Sequence, residues 1–103
     1  MAEFSLLHAD GYAASGNSYA VYGTLTRVAS FLTQALFALN ERYFMSDKTA
    51  LKELADFRLL PENYIEGLTT VLAHTGQSIP ELQTSVARLR ALWSAVREIS
   101  AGE

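Results

Sequence analysis

Apolar side chains in the first half of the sequence recur at alternating spacings of three and four residues. They are Tyr22, Leu25, Ala29, Leu32, Leu36, Leu39 and Tyr43. This spacing places one apolar stripe along one side of an α-helix. Asn17 lies just before the stripe and is a residue type that caps helix N-termini. The pattern predicts a helix over residues 18–44, in which Gly23 lowers the helix propensity locally.

A second long helix is predicted at the carboxyl end of the sequence. Ser78 and Glu81 have the spacing of a capping box, and Pro80 suits the first helical turn. The apolar residues that follow again recur at spacings of three and four. They are Ile79, Leu82, Val86, Leu89, Trp93 and Val96. Each long helix therefore offers a continuous stripe for packing.

Two shorter helices are predicted between the long ones, over residues 48–58 and 61–74. The Leu60-Pro61 pair separates them, because the residue before a proline avoids the helical region. Gly76 follows the second short helix as a typical terminating residue. No segment alternates with period two. The predicted fold class is therefore all-α, a four-helix bundle-like domain with two long and two shorter helices.

The predicted helices occupy one domain over residues 17–103. Residues 1–16 show no sustained period, and we expect an irregular N-terminal lead segment there. Its order would come in part from Phe4, Leu6, Leu7 and Tyr12. A chain of 103 residues is long enough for one hydrophobic core and too short for two.

Composition and charge exclude several classes of function. Eight basic residues are scattered along the chain and outnumbered by eleven acidic ones, so nonspecific binding to nucleic acid is disfavoured. The absence of cysteine excludes disulfides and thiolate chemistry. The chain begins without a signal-peptide pattern and has no apolar run long enough to span a membrane. We therefore expect a soluble, cytoplasmic protein.

The residues needed for catalysis by this chain alone are missing from the sequence. No two carboxylates are separated by a single residue, and His8 and His74 are far apart without partners at helical spacing. Neither arrangement favours a metal site. Phosphate-binding glycine loops and nucleophile motifs do not occur either. We assign no catalytic residue and no metal ligand.

The first long helix has an unusually uncharged surface. Between Gly11 and Asn40 the only charged residue is Arg27. A helix that faces solvent normally carries several charges. Either this helix is central in the bundle, or its neutral face binds a ligand or another subunit. Four tyrosines that suit either packing or ring stacking surround it: Tyr12, Tyr19, Tyr22 and Tyr43.

Polar side chains also gather where this helix is predicted to end. Asn40, Arg42, Tyr43 and Lys48 lie within nine residues and could together donate hydrogen bonds to a phosphate or another polar substrate. Arg42 alone is also explained by the helix dipole, which favours a cation near a C-terminus.

The phrase FALNERYFMSDK, residues 37–48, resembles the C-terminal helical region of bacterial nucleotidyltransferases of the DUF4037-like family and its relatives. In that region a long helix ends in a similar phrase before further helices. The resemblance covers about residues 13–72. It implies an N-terminal catalytic domain of polymerase-β-like fold, with a Gly-Ser loop and an Asp-x-Asp pair that hold a nucleoside triphosphate and Mg²⁺. Neither motif occurs in this chain.

The resemblance implies that the chain is an acceptor-binding or cleft-closing domain that lacks the catalytic domain and is inactive alone. The catalytic domain would be either upstream in a longer chain or a separate subunit, and it would bind the Mg²⁺ and the nucleoside triphosphate. The phrase carries over Asn40, Tyr43 and Lys48 as substrate-binding residues, and Arg42 matches the second position of a basic pair. Arg27, on the helix before the phrase, completes the expected set. Asn40 and Tyr43 are equally explained as structural residues that cap and hold the helix end. Glu41 departs from the basic pair that is common at that position.

The alternative hypothesis is a helical-bundle module for protein–protein interaction or homodimerisation. The two apolar stripes could form a core between chains rather than within one chain. The neutral first helix would then be the dimer face.

Overall fold

The computed structural model describes residues 2–44 and 46–102, with the side chains of residues 2–6 and 47 left out. The described residues form five α-helices and no strand. These are α1 (Ala2–Ala14), α2 (Ser18–Leu39), α3 (Asp47–Leu54), α4 (Tyr64–Ala73) and α5 (Ile79–Gly102). The predicted all-α class is confirmed, in a bundle-like arrangement with one helix more than the sequence pattern indicates. None of the described helices is both long enough and apolar enough to cross a bilayer.

Helix α2 is the centre of the bundle, since each of the other four helices contacts it. Its predicted stripe is confirmed over its middle, where the core positions Leu25, Ala29, Leu32 and Leu36 are buried. The ends of the stripe lie outside the core, because Tyr22 is 38% exposed and Tyr43 is 89% exposed. Further buried positions widen the apolar surface around the helix: Val21, Thr24, Val28 and Phe37. The central position of α2 accounts for much of its missing charge.

Helix α1 replaces the irregular segment that the sequence pattern predicts. It packs on α2 and α5 through Ala9 and Ala13, which have no exposed surface. A bidentate ion pair also joins Asp10 to Arg90 on α5, with a shortest N–O distance of 2.7 Å. The prediction failed because the buried positions are small alanines, which leave no strong apolar stripe. The predicted contributions of Phe4 and Leu6 to the order of this segment concern side chains outside those that the structure describes.

Asn40 ends α2 five residues before the predicted boundary. Its Nδ2 donates to the carbonyl oxygens of Leu36 at 2.8 Å and Leu59 at 2.9 Å. Its Oδ1 accepts from the backbone N–H of Leu59 at 2.9 Å. Glu41 follows with a φ of 55°, in the left-handed region that terminates a helix. One side chain therefore fixes both the end of α2 and the segment before α4.

The segment between α3 and α4 is longer than predicted. α3 ends at Leu54 rather than at residue 58, and α4 begins at Tyr64 rather than at residue 61. Within this segment the ring of Phe57 packs edge-on against Phe37, with centroids 4.8 Å apart. Asn63 has a φ of 59° and precedes the first turn of α4. Tertiary contacts thus take residues 55–63 out of the helices.

The predicted capping box at the start of α5 is confirmed. Glu81 Oε1 accepts from the backbone N–H groups of Ser78 at 3.0 Å and Gln77 at 3.2 Å, and Ser78 Oγ accepts from the N–H of Glu81. These bonds to its charged form lower the pKa of Glu81. Gly76 has a φ of 91°, and a Cβ there would clash with the Cβ of Glu81. Only glycine fits this turn.

Asn40→Ala is expected to destabilise the fold by about 2 kcal/mol, because both backbone groups of Leu59 lose their partner in a partly buried place. Urea unfolding followed by circular dichroism measures the change. Gln34→Ala, on the exposed side of the same helix, is the matched control and should change stability by less than about 0.5 kcal/mol. Equal effects of the two substitutions would contradict the role given to Asn40.

Glu81→Gln is expected to reduce stability at neutral pH and to have a smaller effect in acid. The folded-state pKa of Glu81 lies below its usual 4.5, so the carboxylate stabilises the fold above that value. This contribution is lost as the pH falls through the folded-state pKa. Denaturation of both proteins over a pH series should show two curves that converge at low pH. A difference in stability that is the same at all pH values would show that the charge of Glu81 does not stabilise the fold.

Candidate functional site

The structure separates the five predicted site residues into two regions. Arg27 lies in the middle of α2, and Asn40 lies just past its end, thirteen residues later. At the rise of an α-helix this separation is about 20 Å along the axis. Arg42, Tyr43 and Lys48 follow Asn40 near the start of α3. Arg27 therefore does not contribute to a site formed by the other four residues.

Two of these four residues already have partners within the chain. The side-chain amide of Asn40 donates hydrogen bonds to the carbonyl oxygens of Leu36 and Leu59. The Arg42 guanidinium lies 3.5 Å from a carboxylate oxygen of Glu53 and 5.4 Å from the centroid of the Phe57 ring. Both contacts make the Arg42 guanidinium less available to bind a phosphate.

The depression beside this helix end is polar and has balanced charge. It has a volume of about 230 Å³. Its lining residues are Leu39, Asn40, Glu41, Arg42, Asp56, Phe57 and Arg58. Two arginines face two carboxylates there, which does not favour an anion. Tyr43 and Lys48 are exposed and are not among the lining residues.

A second region, around Arg27, combines side chains from α1 and α2. A depression of about 610 Å³ lies there, which we call the tyrosine notch. Its lining residues are Tyr12, Tyr19, Ala20, Tyr22, Gly23, Thr24, Thr26 and Arg27. Arg27 is the only charged residue among the described residues that line it. The notch is thus an aromatic surface with a single cation.

Gly23 is the one glycine among the described residues that line the notch. It is exposed and lies four residues from both Tyr19 and Arg27, so the three share one side of α2. A Cβ at Gly23 would meet no atom within 4 Å, whereas one at Gly67 would lie 3.2 Å from Leu92. Helix packing therefore explains Gly67 and does not explain Gly23. Glycine inside a helix costs about 1 kcal/mol relative to alanine, and no described contact offsets that cost at Gly23.

Tyr22 joins the notch to the turn between α4 and α5. Its hydroxyl donates to the carbonyl oxygen of Gly76 at 2.5 Å. A smaller depression of about 260 Å³ lies on the other side of Tyr22. Its lining residues are Tyr22, Thr26, Leu72, Ala73, Thr75 and Gly76. This lining is uncharged. The tyrosine notch and this smaller depression therefore form one nearly neutral surface, which we call the neutral face.

The interior holds one polar atom without a partner among the described residues, the hydroxyl of Tyr64. Burial raises the pKa of Tyr64 to about 12. The nearby Thr33 hydroxyl partly offsets this rise in pKa. The hydroxyls of Tyr64 and Thr33 do not have the geometry of a hydrogen bond, and Thr33 donates instead to the Ala29 carbonyl oxygen at 2.9 Å. Tyr64 is 1% exposed and lines neither depression of the neutral face, so we keep it apart from the candidate site.

No group of three or more His, Asp or Glu side chains within the described residues could hold a metal ion. Comparisons with protein-family models, with curated proteins and with solved structures find no match to this chain. The geometry of the neutral face is therefore the main guide to function. The sequence pattern indicated an uncharged helix and its tyrosines, but did not group Tyr12, Tyr19 and Gly23 with Arg27. The spacing of four residues from Tyr19 to Gly23 and again from Gly23 to Arg27 indicates that these three share one side of the helix.

Tyr22→Phe is expected to lower the free energy of unfolding by about 1 kcal/mol, because the Gly76 carbonyl loses its hydrogen-bond donor. Thermal and chemical denaturation measure the change. Tyr19→Phe is the matched control, since Tyr19 is 87% exposed, and it should have an effect within about 0.5 kcal/mol. If the two variants are equally stable, the bond from Tyr22 does not help to hold the turn.

Proposed function

We propose that this chain is the acceptor-binding or cleft-closing helical domain of a nucleotidyltransferase and that it works against a separate catalytic domain. The neutral face of α2 carries the proposal. Its residues expose aromatic rings together with Arg27, and a surface of this kind suits coverage by a ligand and a second domain. The resemblance of residues 37–48 to nucleotidyltransferase helical domains supports the choice of partner.

In this proposal the chain positions the acceptor and carries out no chemical step. A bound acceptor held next to the catalytic domain reacts faster because its orientation is already fixed. Arg27 supplies the cation for an anionic acceptor within the notch. Mg²⁺ in the catalytic domain would neutralise the phosphates of the nucleoside triphosphate. Because the donor is a nucleoside triphosphate, we propose that the pair acts in the cytoplasm.

The polar depression at the end of α2 has a supporting role in the same proposal. Asn40 fixes the helix end, and the exposed side chains of Tyr43 and Lys48 extend from the segment that follows. We propose that these two residues and Arg42 contact the catalytic domain or the outer part of the acceptor. The balanced charge of the depression favours such a contact over phosphate binding.

The proposed function predicts that the purified chain does not transfer nucleotide, whereas a mixture with its catalytic domain does. That domain is expected to have about 100–200 residues with Gly-Ser and Asp-x-Asp motifs, and the coding sequence upstream is the first place to look for it. The measurement is transfer of label from a radiolabelled nucleoside triphosphate in the presence of Mg²⁺. The same catalytic domain with its Asp-x-Asp pair changed to Asn-x-Asn is the control. Label transfer by the 103-residue chain alone would contradict the proposal.

Homodimerisation through the same face is the second candidate. The observation that favours it is the group of large exposed apolar side chains on that face. They are Tyr19 at 87% and Tyr22 at 38% exposure, which line the notch, and Leu72 at 40% exposure, which lines the neighbouring depression. Sedimentation equilibrium over a wide concentration range separates the two candidates. A dimer that Tyr19→Ser dissociates, together with an unrelated upstream gene, would favour this second function.

A further inference from the structure

We propose that the tyrosine notch binds a planar aromatic or heteroaromatic ring that carries an anionic group about one helical turn away. This inference rests on the proposed function, since it names the chemical class of the acceptor. It follows from three features of the notch: the rings that border it, the open space above Gly23, and the position of Arg27.

The rings and the glycine form a place for a flat group. Tyr19 and Tyr12 line the notch from α2 and α1, and tyrosine rings are suited to stacking on a flat group. Gly23 lines the same notch without a side chain, and the space where a Cβ would be is open. A ring can therefore approach the helix backbone there, which glycine allows and larger residues prevent. The volume of about 610 Å³ lies within the range of small-molecule sites, about 300–1,000 Å³.

Arg27 determines the charge of the ligand. It lies one turn beyond Gly23, which corresponds to about 6 Å along the helix. It makes no hydrogen bond or ion pair with any residue that the structure describes. No carboxylate is among the described residues of the notch. An anionic group on the ligand would give Arg27 a charge-assisted partner.

The same charge distribution disfavours a second copy of the chain as the occupant. In a two-fold symmetric contact, each copy presents the same patch to the other. The two Arg27 side chains would then share an interface to which the described lining residues bring no carboxylate. Like charges that are desolvated together oppose association. A ring with an anionic group meets both the aromatic border and the cation.

Adenosine monophosphate is the probe, because its base is a flat ring. Its phosphate is separated from that ring by about the length of one helical turn, as the proposed site requires. Adenosine lacks the anion, and inorganic phosphate lacks the ring. Each is titrated into the isotope-labelled 103-residue chain and followed by two-dimensional amide NMR. The expected result is that the monophosphate binds about ten-fold more tightly than adenosine, with shifts centred on residues 12–27. Phosphate alone should shift these amides little.

Two variants and two matched controls test the role of each part. Gly23→Leu fills the open space and should weaken binding of both adenosine and its monophosphate about ten-fold. Gly11→Leu is its control, because Gly11 is also an exposed helical glycine with no atom near a built Cβ, and it does not line the notch. Arg27→Gln should remove the preference for the monophosphate. Arg88→Gln lowers the net charge equally and should leave that preference unchanged.

Several outcomes would overturn the inference. They are the absence of binding, equal affinity for adenosine and its monophosphate, and equal effects of Gly23→Leu and Gly11→Leu. Thermal unfolding of each variant shows whether it is folded, and Gly23→Leu should not lower the melting temperature because leucine favours a helix more than glycine does. Self-association that Gly23→Leu abolishes and the monophosphate leaves unchanged would assign the notch to a second copy instead. Label transfer by the chain alone would overturn the proposed function, whereas binding of adenosine monophosphate is measured independently of any catalytic domain.

Discussion

The packing of every other helix against α2 is the constraint on which the rest of the structure depends. A helix with neighbours on most sides has to be apolar or small around most of its circumference, since a buried charge without a partner is costly. This explains why Val21, Val28 and Phe37 are buried although they lie outside the predicted stripe. It also explains why so little room remains on α2 for charged residues.

The part of α2 that no helix covers is correspondingly unusual. Surface elsewhere carries ion pairs such as Asp10 with Arg90 and Arg42 with Glu53. The uncovered part of α2 has instead hydroxyl groups, tyrosine rings, an open glycine and Arg27. Packing accounts for the buried residues of the helix but does not require an exposed tyrosine or an exposed glycine. These two features are therefore the strongest indication that this surface has a function.

The sequence predicts a helix boundary well where residues close in sequence form it. It predicts a boundary less well where the contacts come from residues far away in sequence. The start of α5 was predictable because Ser78 and Glu81 cap it within three positions. The end of α2 was not, because the partner of Asn40 is Leu59, nineteen residues away. The notch depends on α1 as well as α2, and the sequence pattern did not predict α1. Closeness in sequence brings the polar residues after α2 together, whereas only the packing of α1 on α2 brings Tyr12 to the same notch as Gly23.

The way α1 is held has a consequence for how such a domain can diverge. Its attachment to the bundle depends on Ala9 and Ala13, which are small and fully buried. A larger side chain at either position would force the helices apart, at a cost of about 1–3 kcal/mol. The exposed positions of α1 that make no contact with another helix carry no such restriction. In a distant homologue, two small residues four apart would be the part of this helix that selection retains.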